Sequence, residues 1–92
     1  MIETIIQTVA DVYGITPEQI KGKSRKAPLP EARRMVISFS KSEKLSHKVI
    51  QEALSVSRHN IYRATYKVKD EIMIYAEVAV TAAKIHLKLK EL

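Results

Sequence analysis

Cysteine is absent from this 92-residue chain, glycine occurs twice and proline three times. The first absence excludes disulfides, thiolate catalysis and every zinc site built on cysteine. So few glycines and prolines argue against an all-β architecture, which needs more turns than they can make. No apolar run approaches the ~18 residues of a membrane span, and the N-terminus lacks the basic head of a signal peptide. The length suits one small domain spanning residues 1–92 and not two independent cores. An apolar content of 46% is ordinary for a globular chain. These features together lead to a soluble, cytoplasmic, mainly helical domain.

The net charge is +6, and its distribution says more than its total. Between residues 21 and 69 there are 13 lysines and arginines against three acids, Glu31, Glu43 and Glu52. The flanks hold the remaining three bases and seven acids. A surface built only for solubility mixes the signs more evenly. A basic middle between acidic ends is the electrostatic footprint of a polyanion-binding domain, and nucleic acid is the first candidate.

The apolar residues recur at helical spacing. Ile2, Ile5, Ile6, Val9 and Tyr13 form one stripe, Gly14 is placed to end that helix, and Ile15 is the apolar residue that folds back after the cap. Thr16-Pro17-Glu18-Gln19 reads as a capping box opening a short helix to about Lys21, ended by Gly22. Lys23-Ser24-Arg25-Lys26-Ala27-Pro28 is a basic loop. Pro30 and Glu31 open a third helix with Ala32, Met35, Val36 and Phe39 inward. Arg33 and Arg34 lie in its first turn, where the helix dipole favours acids. Their placement suggests that a bound anion supplies the missing negative charge, the plainer alternative being screening by Glu31 and solvent.

Ser46 is positioned to cap a helix ending near Leu54, and Ser57 to cap another running to about Lys69. Only Ser55 and Val56 separate them, so the helices meet at a sharp angle. Ile50, Leu54, Val56, Ile61 and Ala64 occupy the buried positions that hold the second helix of a helix-turn-helix against its first. Gln51 stands where a small residue is preferred, and Ser55 where glycine often makes the turn. With Ile61, Thr65, Val68 and Ile72 inward, the outer face carries Arg58, His59, Tyr62, Arg63, Tyr66 and Lys69. Residues at the start of such a helix read the major groove; Arg58, His59 and Asn60 hold that place, and arginine and asparagine pair with guanine and adenine. Lys48 and Lys44 suit phosphates. The competing use of an aromatic and basic face is docking of a protein partner.

Residues 70–92 carry Ile72, Met73, Ile74, Tyr75, Ala76, Val78, Ala79 and Val80, interrupted only by Glu77. A helix over about 71–90 is apolar on nearly every side, so one face covers the core and the other is free for a homodimer or a partner protein. The alternation Ile85-His86-Leu87-Lys88-Leu89-Lys90 has strand period, but its position favours a fraying helix end. Catalysis and metal binding find little support. His47, His59 and His86 share no ligand spacing, and Ser57 reads as a cap rather than a nucleophile. No enzyme activity, cofactor or metal is expected.

Val9-Ala10-Asp11 with Tyr13 and Ile15, the Gly22-Lys23-Ser24-Arg25-Lys26 loop, Arg33-Arg34-Met35 and His59 together resemble the C-terminal DNA-binding domain, domain IV, of the bacterial chromosomal replication initiator DnaA. The resemblance spans about residues 5–72 and runs without a gap over 9–39. It implies a Trp-repressor-like helix-turn-helix that binds double-stranded DNA on the nucleoid, in replication initiation, its regulation or transcription control. It matches Arg25 to a loop arginine that enters the minor groove, Arg33 and Arg34 to an Arg-Gln pair near the DNA backbone, and His59 to a signature histidine.

The chain departs from the family at the signature itself. Ser55-Val56-Ser57-Arg58-His59-Asn60-Ile61 stands where the family has Gly-Gly-Arg-Asp-His-Thr-Thr. A cation in place of an acid that accepts from cytosine changes the preferred base, so the family's recognition sequence does not follow. Nothing resembles the family's ATPase domain, since Gly14 and Gly22 sit at helix ends and form no phosphate-binding loop. The initial Met1 and a tail unlike the family's favour a stand-alone relative over an excised domain.

The expected molecule is all-α, a compact helix-turn-helix domain (about 46–69) followed by a long apolar C-terminal helix. Arg58, His59, Asn60 and Arg63 face base edges, and Ser57 and Tyr62 beside them also contact the DNA. Arg25 probes the minor groove or backbone, and Lys23, Lys26, Arg33, Arg34 and Lys48 hold phosphates. The alternative function is a protein-interaction module that keeps the helix-turn-helix as scaffold and presents the Tyr62/Tyr66 face or the C-terminal helix.

Overall fold

Local signals set most of the helix ends. In the computed structural model, which describes residues 1–91, α1 spans Ile2–Tyr13, α2 Pro17–Lys21, α3 Leu29–Ser42, α4 His47–Leu54, α5 Arg58–Ile74 and α6 Ala76–Lys90. No strand occurs among the described residues. Gly14 ends α1 with φ 69°, the left-handed conformation that a Cβ disfavours. Its N–H donates to the Asp11 carbonyl at 3.4 Å and that of Ile15 to Ala10 at 3.0 Å, the paired bonds of a Schellman cap. At α2 the Gln19 N–H donates to Thr16 Oγ1 at 3.1 Å and the Thr16 N–H to Gln19 Oε1 at 2.9 Å, the expected capping box. Ser46 and Ser57 cap α4 and α5 through Val49 and Asn60.

Every helix places at least one side chain in a single core. Ile5, Ile20, Met35, Ile50, Ile61 and Ile85, one from each of the six, are at most 1% exposed. Burying a side chain of this size stabilises the fold by about 2–3 kcal/mol. The α3 helix is the central strut and packs against α1, α2, α4 and α5. It thereby fixes the helix-turn-helix pair, α4 and α5, relative to the basic loop between α2 and α3. The expected buried set of that pair holds: Ile50, Leu54, Ile61 and Ala64 are buried, and Val56 packs against them.

The C-terminal third differs from the sequence reading. The second helix of the pair does not end near Lys69 but continues to Ile74, and the last helix begins at Ala76, not near 71. Between them Tyr75 is extended, with φ −113° and ψ 115°. The break lets α6 turn back over α1 and α5, where Val78, Ala82 and Ile85 are buried and Leu89 packs at the edge. A helix continuing straight from α5 would carry those residues away from the core. Ile72, expected inward, is 37% exposed, and Met73 and Ile74 beside it are 85% and 69% exposed. The alternating stretch 85–90 is helical to its end.

Candidate nucleic-acid interface

The turn between α4 and α5 is built by Ser55, which adopts φ 54° and ψ 45° where glycine is at ease. Ser57 then spends its hydroxyl oxygen on the Asn60 N–H at 3.1 Å. Because Ile61, Ala64 and Val68 are turned into the core, Arg58, His59, Asn60, Tyr62 and Arg63 are all exposed on the opposite side of α5. No acidic residue occurs in the first turn of that helix, so Arg58, His59 and Asn60 stand at its positive dipole end with no carboxylate among them. Lys48, in the first turn of α4, is exposed as well.

Where α3 packs against α5, an open groove of about 540 Å³ runs along their outer side. Arg34, Asn60, Arg63 and Lys67 line it with Asp70, over the buried Ile37 and Ala64. The structure thus brings Asn60 and Arg63 of α5 together with Arg34 of α3. Lys23, Arg25 and Lys26 form a separate exposed cluster on the loop after α2. None of the three takes part in an ion pair among the described residues.

The two arginines of the third helix behave differently from expectation, because the chain itself supplies their partners. Arg33 Nε donates to the Ile20 carbonyl at 2.7 Å and Nη2 to Gln19 at 2.9 Å, while Nη1 bonds the Ser24 carbonyl. These carbonyls lie at the end of α2 and in the basic loop, where helix geometry leaves acceptors without partners. Arg34 pairs bidentately with the Glu71 carboxylate of α5, with Nε at 3.2 Å and Nη2 at 3.3 Å. Glu31 does not screen either arginine by hydrogen bonding; it accepts from the Tyr13 hydroxyl at 2.5 Å. Burial, followed by the Glu31 carboxylate, pushes that hydroxyl well above its ordinary pKa and keeps it a donor.

One residue of the site escaped the sequence reading. His47, first residue of α4, receives the Arg58 Nε–H on Nδ1 at 3.0 Å. Its Nε2 lies 3.1 Å from Lys41 Nζ, and its ring meets that of Tyr62 edge to face, with centroids 5.1 Å apart. Desolvation, then Lys41 and Arg58, lower its pKa from the ordinary 6.5. The one sequence signal was that His47 and Arg58 each follow a capping serine on successive helices.

Among the described residues no group of three or more His, Asp or Glu side chains is arranged to hold a metal ion. No helix is long and apolar enough to cross a membrane. Residues 2–68 match a family model described as the bacterial dnaA protein helix-turn-helix. The match ends within α5 and leaves α6 outside it. No curated protein matches the chain.

Proposed function

The chain belongs to the bacterial DnaA helix-turn-helix family, and we propose that it binds double-stranded DNA with α5 in the major groove and the basic loop alongside. The observation that carries this reading is the exposed start of α5, where Arg58, His59, Asn60 and Arg63 project from a helix whose other face is anchored in the core. In this arrangement Arg58 pairs with guanine and Asn60 with adenine, the geometries natural to a guanidinium and an amide. His59 and Arg63 complete the base-reading row. Arg25 probes the minor groove or the backbone, and Lys23, Lys26 and Lys48 neutralise phosphates, which position the domain without reading sequence. Arg33 serves by shaping the loop, and Arg34 offers the backbone whatever charge Glu71 does not absorb. Such a domain acts on the nucleoid, in replication initiation, its regulation or the control of transcription.

Substitution separates this reading from its rival. Arg25→Ala and Arg58→Ala both weaken duplex binding, and Arg58→Ala also changes the preferred base at one position. Lys48→Ala weakens all sequences alike. Binding and base preference that survive all three changes would overturn the proposal.

A second reading is favoured by the apolar residues left open at the α5–α6 junction, where Met73, Ile74 and Tyr75 are exposed with Val80 and Leu87 further along. Exposed apolar side chains gathered at one junction mark a surface that self-association or a partner protein would bury. Light scattering on the purified chain and on Met73→Glu distinguishes the two. A dimer that Met73→Glu dissolves supports the second use, and a monomer in both leaves α5 as the single working face.

A further inference from the structure

The start of the recognition helix contains a proton-counting conflict. A neutral imidazole has one lone pair, on whichever ring nitrogen lacks the proton. Two donors approach the His47 ring, Arg58 at Nδ1 (3.0 Å) and Lys41 at Nε2 (3.1 Å). An ammonium and a guanidinium only donate, so one of them at a time is accepted. With the proton on Nε2 the ring holds Arg58; with the proton on Nδ1 it turns its lone pair to Lys41; as imidazolium it holds neither. The ring itself is fixed from the third side by Tyr62.

We propose that His47 is a positioning residue for sequence recognition: by accepting the Arg58 Nε–H, its neutral imidazole aims the two terminal nitrogens of Arg58 at the base edges. This rests on the reading of Arg58 as a base contact. An end-on bidentate pair with guanine uses both terminal nitrogens and leaves Nε free for an internal partner. An exposed arginine without such a partner samples many rotamers and loses that freedom on binding. Anchoring Nε to the first residue of α4 removes most of the search and ties the direction of Arg58 to the start of the neighbouring helix.

The arrangement is sensitive to pH. The charged groups facing the ring are Lys41 from α3 and Arg58 from α5, both cations, and the Tyr62 ring of α5 meets it edge to face. The loss of water around the ring, followed by the field of these two cations, lowers its pKa below the ordinary 6.5, so near neutrality the imidazole is uncharged and able to accept. In acid it protonates and releases Arg58. Overall affinity for the polyanion does not fall, because a positive charge has been added, but the preference that depends on Arg58 does.

The test is base preference on a randomised duplex library, read at about pH 7.5 and about pH 5, on either side of the ordinary imidazole range. Four proteins are compared: the natural chain, Arg58→Ala, His47→Ala and His47→Asn. The Asn amide oxygen takes the place of Nδ1 as an acceptor and does not titrate. The expected result is a loss of about tenfold in discrimination at one base position for Arg58→Ala, at the same position for His47→Ala, and for the natural chain at low pH. His47→Asn keeps the preference at both pH values, and the salt dependence of binding stays unchanged between His47→Ala and His47→Asn. If Arg58→Ala alters the preferred base and His47→Ala does not, the positioning role is wrong while the DNA reading stands. If Arg58→Ala leaves base preference unchanged, the reading of Arg58 and the role of His47 fall together.

Discussion

Arg33 Nε donates to the backbone carbonyl of Ile20 across 2.7 Å, and the same guanidinium also binds Gln19 and Ser24. One side chain thereby closes the end of α2 and pins the start of the loop that carries Lys23, Arg25 and Lys26. Hydrogen bonds to a charged group are worth about 1.5–3 kcal/mol when removal leaves acceptors unpaired. Arg33→Ala is expected to lower stability by about 2 kcal/mol in urea denaturation and to speed amide exchange through residues 22–26. Lys cannot reproduce the three-pronged geometry, so Arg33→Lys recovers only part of the loss. Unchanged stability and exchange in Arg33→Ala would contradict the role given to it.

Ser55 and Gly14 both occupy the left-handed region, at φ 54° and φ 69°, and substitutions there have opposite signs. Ser55→Gly relieves a conformation that costs an L-residue about 1–2 kcal/mol, less the entropy glycine gains when unfolded. A stabilisation of about 0.5–1 kcal/mol is expected in thermal denaturation. Gly14→Ala meets no atom within 4 Å, so its loss of about 1 kcal/mol is purely one of backbone conformation.

Arg34 and Glu71 join α3 to α5 with side chains 21% and 17% exposed. A double-mutant cycle over Arg34→Ala and Glu71→Ala is expected to give a coupling of about 1 kcal/mol, between a surface pair and a buried one. Glu71→Ala also leaves Arg34 unneutralised beside the groove. Non-specific duplex affinity at low salt should therefore rise in that variant and fall back in Arg34→Ala. An affinity unmoved by Glu71→Ala would place the groove away from the DNA.

The lowered pKa of His47 has a consequence for folding. The folded chain disfavours the imidazolium relative to the unfolded chain, which titrates near 6.5. Above that value both states are neutral and the term vanishes. As pH falls through it, the unfolded state takes up the proton first and stability drops. The decline between about pH 7 and pH 5 should be smaller in His47→Asn than in the natural chain, measured by urea midpoint. Identical pH profiles would contradict the unfavourable cationic surroundings of the ring.

Local chemistry was the legible part of this molecule. Thr16, Ser46 and Ser57 announce their helices, and Gly14 ends one, because a cap acts on backbone groups within a few residues. The buried stripe of α4 and α5 was legible for the same reason, its period being that of the helix. The break at Tyr75 was not, since residues 72–76 contain neither proline nor glycine and the bend arises from α6 finding the surface of α1. The partners of Arg33 lie 9 to 14 positions away and that of Arg34 37, beyond any local pattern. The last carbonyls of α2 lack partners within the helix, a signal that some donor must reach them. His47 was hidden in the same way, its contacts existing only where α3, α4 and α5 meet.

The most direct measurement is binding to random-sequence duplex DNA across a salt series. Each phosphate neutralised contributes about −0.9 to the log–log slope, so Lys23, Arg25, Lys26 and Lys48 together give about −3 to −4. A slope in that range, reduced by about one unit in Arg25→Ala, is the expected result. An absence of binding even at low salt would contradict DNA recognition and leave the helix-turn-helix as the scaffold of a protein-binding surface.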